Sequence, residues 1–391
     1  MDSLNVVLIG CDENILPYLR REAFNHAATV DEEFPDLPSA LNAEWEAGKN
    51  LLFIVRIVSD TELLQLKRLS GRFAGRPIIA LIDAEADPSM VLRAVQAGAL
   101  QVVPLPFQRD DFGTAVDRIA IQLGLSPGRG KTIAVTGATG GCGTTTIALN
   151  LAYELAYVKQ IKCILLELSL RMGVLASHLD VQPRYTTSDL LFEDNVDSYA
   201  VNQALTSIAD NFSILPGPYQ SIEPGTIKTE DVLALIELTC HLAGIVVLDV
   251  PCTFDELYFK SLSAADHVVL VTQQKVSSIR GVQMVCEALP DLRPIVVVNR
   301  YDAKLQGFSA DRLRTLLRCP GLTTVANDPV VGVAVDHGRP LRLQAYRSRA
   351  LADIGKLMER LAPQEMRSQR RIEPSTLLGR LSRAFSYSGK D

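Results

Sequence analysis

The chain of 391 residues predicts an α/β protein built from two doubly wound, mainly parallel sheets in series. Three observations lead there. Apolar runs of strand length alternate with amphipathic segments through residues 1–122, and again through residues 132–362. Between the two series, residues 123–131 (LGLSPGRGK) break the pattern with Gly, Ser and Pro and read as a linker. A glycine-rich loop opens the second series at the point where a strand gives way to a helix.

In the first series the strands are NVVLI, LLFIV, RPIIALI and QVV. The helical segments between and after them are ILPYLRREAF, TELLQLKRL, PSMVLRAVQAGA and DDFGTAVDRIAIQ. Near-continuous apolar strands need cover on both faces, and crossover helices supply it. The second series repeats this logic with TIAVT, CILLE, FSILP, IVVLDV, HVVLVT and PIVVVNR as strands. Its helices include TTTIALNLAYELA, TEDVLALIELTCHLA and RSRALADIGKLMERL.

A hydrophobic fraction of 47% with 21% charged residues is enough to bury two cores. The formal net charge of −6 argues against broad nucleic-acid binding, which needs clustered cations to displace counterions. Cys11, Cys142, Cys163, Cys240, Cys252, Cys286 and Cys319 are odd in number and form no CxxC. They read as reduced thiols of a cytoplasmic protein, with no zinc and no iron–sulfur cluster expected. The start MDSLNVVLIGCDEN has no basic lead-in, and no stretch reaches the length of a membrane span, so neither secretion nor spanning is expected.

The loop reads ATGGCGTTTIALNLA from Ala138. Gly140, Gly141 and Gly143 leave the backbone open, so that successive N–H groups and the helix N-terminus can surround phosphates. Strand, loop and helix come in the right order for a phosphate-binding loop, yet GxxxxGK[ST] fails twice. Ala138 stands for its first glycine and Thr144 for its lysine. Whether nucleotide still binds stays open at this level.

The spacing resembles the deviant Walker motif of the MinD and ParA ATPases, KGGxGK[ST][ST], with Thr139 in place of the signature lysine. Within that superfamily the chain is most similar to the CpaE/TadZ proteins of Tad (Flp) pilus assembly. The likeness extends through VVLDVPCTFDELYFKSLSAADHVVLVTQ, the NRYD segment and VANDPVVGVAVDHGRPL. It implies nucleotide contacts at Gly140, Gly141, Cys142, Gly143, Thr144, Thr145, Thr146, Asn299, Arg300 and Asn327, with Asp328 in the same loop as the last. Turn chemistry is the alternative at Asn299 and Asn327. It implies Mg at Thr145 and Asp249, and a degenerate switch I in which Glu167 and Ser169 replace two aspartates. Arg171 is the candidate substitute cation.

A charge about 4 Å from a phosphate oxygen contributes about 4 kcal/mol at an effective dielectric near ~20. At a transferring phosphoryl group a cation is worth ~10³ to 10⁵ in rate. Binding spreads over many donors, whereas hydrolysis needs charge at one place. The resemblance therefore implies ATP and Mg as ligands with little turnover. It further implies a homodimer, Tad pilus secretion proteins as partners, and a place in the cytoplasm, at the cell pole or peripheral at the inner membrane. A slow ATPase that uses nucleotide-dependent dimerisation and a DNA-associated partition ATPase are the alternatives.

The first series, with AVQAGALQVVPLPF near its end, resembles the flavodoxin-like receiver domain of response regulators. By that likeness Asp12, with Glu13, is what remains of an acid pair, and Val55 or Arg56 stands where the phosphorylated aspartate would be. Ile82 takes the hydroxyl position and Leu105 the lysine position before Pro106. No acyl phosphate forms without a carboxylate nucleophile, which leaves a docking or dimerisation module. In residues 363–391, six basic residues stand against three acidic ones, and Leu377, Leu378, Leu381 and Phe385 share a helical face. A disordered tail, a partner helix and a weak membrane contact all fit that pattern.

Overall fold

The computed structural model describes residues 4–26, 28–43, 50–107, 111–123, 129–193, 196–219, 227–305, 307–317, 319 and 321–362. Most of the linker and the whole basic tail lie outside them.

The first sheet contains β1 (Leu4–Ile9), β2 (Ala28–Phe34), β3 (Asn50–Ile57), β4 (Ile78–Asp83) and β5 (Gln101–Leu105). Its order is β2-β1-β3-β4-β5 and every pairing is parallel, the flavodoxin-like order. Alternation divides the strands between two cores. Val7, Ile9, Phe53 and Val55 face α2 (Leu37–Asn42), α3 (Asp60–Arg72) and α4 (Pro88–Gln96). Val6, Leu8, Leu52 and Ile54 face α1 (Leu16–Asn25) and α5 (Asp111–Gln122). Sequence periodicity misses β2, whose ATVDEEF carries three consecutive acids. It is an edge strand, where exposed charge blocks further pairing.

The second sheet has eight strands: β6 (Lys131–Gly137), β7 (Cys163–Glu167), β8 (Thr206–Ala209), β9 (Phe212–Leu215), β10 (Ile245–Val250), β11 (His267–Thr272), β12 (Ile295–Tyr301) and β13 (Thr323–Ala326). They run β13-β12-β11-β6-β10-β7-β9-β8, parallel except for β8 against β9. β6 is therefore central, flanked by β11 and β10. One face packs on α6 (Thr144–Val158) and the helix Arg349–Leu361, the other on the helix Thr229–Cys240 and its neighbours. The four-residue strands β8 and β13 close the two edges and are too short and polar to show a strand period.

The two sheets meet through their N-terminal edges. The buried Asn25, at the end of α1, accepts a hydrogen bond at 3.0 Å from the Lys162 amide just before β7. The backbone at Gly244, just before β10, runs so close that an added Cβ would lie 3.1 Å from both Asn25 Cα and Phe24 Cδ1. Both C-terminal edges, where α/β proteins hold ligands, consequently face away from the junction.

Candidate nucleotide site

β6 is buried along nearly its whole length and delivers the loop to the middle of the C-terminal edge. Gly141 (φ +72°) and Gly143 (φ +95°) adopt the left-handed conformation that glycine takes without strain. A Cβ added at Gly140 or Gly141 would meet nothing within 4 Å, so the loop tip borders open space of the kind a phosphate needs. Behind the tip the Asn299 side-chain amide donates to the Cys142 carbonyl at 2.9 Å and pins the loop from β12. A Cβ at Gly143 would lie 2.3 Å from Asn299 Nδ2, so any other residue there would have to displace the Asn299 side chain.

Thr145, in the first turn of α6, donates its hydroxyl to Asp249 at 2.7 Å. Asp249 reaches it because β10 pairs with β6, bringing Asp249 opposite Val135 and, on its other side, opposite Glu167 of β7. Burial pushes the Asp249 carboxyl up from its ordinary 3.8 to about 7, with the neighbouring Glu167 adding to the rise and the Thr145 bond opposing it. A buried acid beside a P-loop hydroxyl is the donor set that holds Mg in P-loop proteins. Thr145 and Asp249 thus fit a metal, and the open glycine tip fits phosphates.

Several other residues singled out from sequence make hydrogen bonds within the protein. Glu167 accepts hydrogen bonds from the amides of Gly217 (2.7 Å), Val174 (2.8 Å) and Leu175 (3.3 Å). Burial raises its pKa against the pull of those donors. Its role is a clamp on the segment after β7, and Gly173 and Gly217 make the approach feasible, since a Cβ at Gly173 would lie 2.6 Å from the Gly217 backbone. Ser169 donates to the Met172 carbonyl at 2.8 Å. Thr139, in the signature-lysine position, shares a 2.8 Å hydroxyl contact with Ser278, a partner that no motif announced. Asp328 accepts from the Ser348 hydroxyl at 2.7 Å and from the Arg349 amide at 3.1 Å, so it fastens the start of the helix Arg349–Leu361. These bonds hold its carboxyl below the ordinary range. Asn327 is exposed and its amide donates to the Tyr301 carbonyl, while Arg300 is exposed with φ +52°. Arg171 lines a neighbouring cleft that none of the residues 138–146 enters.

The corresponding edge of the first sheet is different. Arg56, one residue before the end of β3, forms an ion pair with Asp83, ending β4, at 2.8 Å. Ile82 and Leu105 are buried, Asp12 is exposed, and the Leu105–Pro106 peptide is cis.

The fold and the site define a P-loop α/β domain. Residues 130–296 match the family described as the AAA domain, and MinD proteins are among the relatives of the chain. The septum site-determining protein MinD of Synechocystis is 25% identical over 224 residues, which cover 55% of this chain and 82% of that protein. A ParA family ATPase from Chlorobium tepidum shares the fold at a TM-score of 0.54 and 19% identity, covering 58% of this chain and 98% of that one. The MinD of Pyrococcus horikoshii, solved with Mg-ADP, does so at 0.51 and 20%, covering 59% and 95%.

Proposed function

We propose that the chain is a positioning and assembly factor of the CpaE/TadZ kind, a dimeric scaffold for a Tad (Flp) pilus secretion machine that binds Mg-ATP weakly and hydrolyses little. One contrast within the loop carries this reading. Gly140 and Gly141 keep open room for phosphates, while uncharged Thr139 and Thr144 occupy the two lysine positions.

When bound, Mg-ATP would supply a phosphoanhydride and a divalent positive charge. The chain's own part is to hold it. Loop amides and the N-terminus of α6 would take the phosphates and Thr145 and Asp249 the metal, while Asn299 keeps the loop in shape. No ammonium group in residues 138–146 meets charge developing on a departing phosphate. Ser169, already bonded to Met172, is uncharged and orients an attacking water poorly. Nucleotide then acts as a ligand that sets conformation. The receiver-like domain, at the opposite end of the molecule, offers a separate docking face.

The intact Thr145–Asp249 pair favours a second reading, a slow MinD/ParA-type ATPase that recruits a cation from elsewhere. Two measurements separate the readings and test the first. Deleting the gene in its host should abolish pili counted by electron microscopy, with the wild-type gene restoring them. Calorimetric titration of the pure protein should show Mg-ATP binding without phosphate release. Normal piliation after deletion would refute the pilus assignment.

A further inference from the structure

A cleft of about 430 Å³ opens beside the nucleotide site, between residues 168–172, the start of the helix Thr229–Cys240 and the helix Glu256–Ala264. Its floor is apolar, formed by the buried Val232, Val250 and Tyr258, and Met172 stands 66% exposed at its rim. Four charged residues line it: Arg171, Lys228, Asp255 and Glu256.

Those charges are unequally engaged. Asp255 caps its own helix, accepting from the Tyr258 amide at 2.9 Å. Glu256 pairs with Lys260 at 2.8 Å, and Lys260 also holds Glu230. Among the described residues, the side chains of Arg171 and Lys228 form no ion pair or hydrogen bond, although the Lys228 charge helps to hold the nearby Glu230 carboxyl below its ordinary range, so the mouth of the cleft carries two cations without a direct side-chain partner over an apolar floor. Such a surface selects a ligand with one apolar face and several carboxylates. The volume lies within the range of roughly 300–1,000 Å³ typical of recognition pockets, room for a few anchoring side chains.

We propose that this cleft docks an acidic, amphipathic helix of a partner protein, its apolar side chains on Val232 and Tyr258 and its carboxylates on Arg171 and Lys228. The walls continue β7 and β10 just past Glu167 and Asp249, so the partner helix sits on the strand ends next to the nucleotide. The proposal deepens the scaffold reading by giving the partner's chemistry. It requires no nucleotide turnover, so the phosphate-release and piliation results leave it standing or falling by itself.

The test uses the full chain and a fluorescein-labelled peptide of about four helical turns, built from Glu and Leu at helical spacing, followed by fluorescence anisotropy. Its control replaces every Glu with Lys. The acidic peptide should bind, and the double variant Arg171→Glu with Lys228→Glu should weaken it at least ~10-fold while improving the lysine peptide. Both positions are exposed, and an unchanged circular-dichroism melt establishes that the fold persists. Met172→Glu should weaken the acidic peptide alone. Absence of acidic-peptide binding, equal affinity in the double variant, or equal binding of the lysine peptide would overturn the proposal. Phosphatidylglycerol vesicles that bind in preference to the peptide, with the same loss in the double variant, would overturn it in favour of a membrane surface.

Discussion

The two C-terminal edges of this molecule begin from the same topology and end differently. In the first sheet, Arg56 and Asp83 join across the C-terminal edge in an ion pair, and Ile82 and Leu105 are buried beside it. In the second, the glycine tip remains open and Thr145 still meets Asp249, although both lysine positions hold threonine. Side chains fill the first edge, whereas the second keeps backbone geometry open to a ligand. Phosphate binding by amides and a helix N-terminus survives loss of charge, and phosphoryl transfer does not.

The largest effect should come from restoring the missing groups. Thr144→Lys combined with Ser169→Asp should raise phosphate release at least ~10²-fold, read with a malachite-green assay. No gain would mean that the loop had lost more than its charges. A smaller effect separates the buried acid from its ligand. The folded chain holds the Asp249 proton more tightly than the unfolded chain, so this group's stabilising contribution is fully present below about 3.8 and is lost as pH rises through about 7. Asp249→Asn should therefore raise the melting stability of the nucleotide-free protein at pH 8 by about 4 kcal/mol and leave it nearly unchanged at pH 4. The same variant should lose Mg-dependent nucleotide affinity.

Gly143→Ala should cost about 2 kcal/mol in urea unfolding, because the added methyl meets Asn299 at a left-handed backbone position. At the first edge, Asp83→Ala should cost only about 1 kcal/mol, since Asp83 is half exposed even though Arg56 is mostly buried. Nucleotide titration of that variant should match wild type, and any coupling would break the separation of the two edges.

Much of this was legible before the structure. The central strands carry unbroken apolar runs, and the loop between β6 and α6 announces itself by its glycines. What stayed hidden depends on contacts across distance. β2, β8 and β13 are edge strands whose short or charged segments gain their form from a neighbour. Arg56 meets Asp83 only because β3 pairs with β4. Glu167 reads from sequence as one residue of a degenerate switch I, and only the fold shows the amides of Val174, Leu175 and Gly217 turned onto it. Asp328 likewise reads as a base-side residue, and in the fold it fastens the last helix through Ser348.

The central claim is that the loop keeps the geometry for phosphates and lacks the charge for their transfer. Single-turnover phosphate release by the pure wild-type protein, at Mg-ATP concentrations that calorimetry shows to be saturating, tests it most directly. The account predicts bound nucleotide that remains ATP over many minutes. Rapid, Mg-dependent phosphate release that disappears in Asp249→Ala would contradict it.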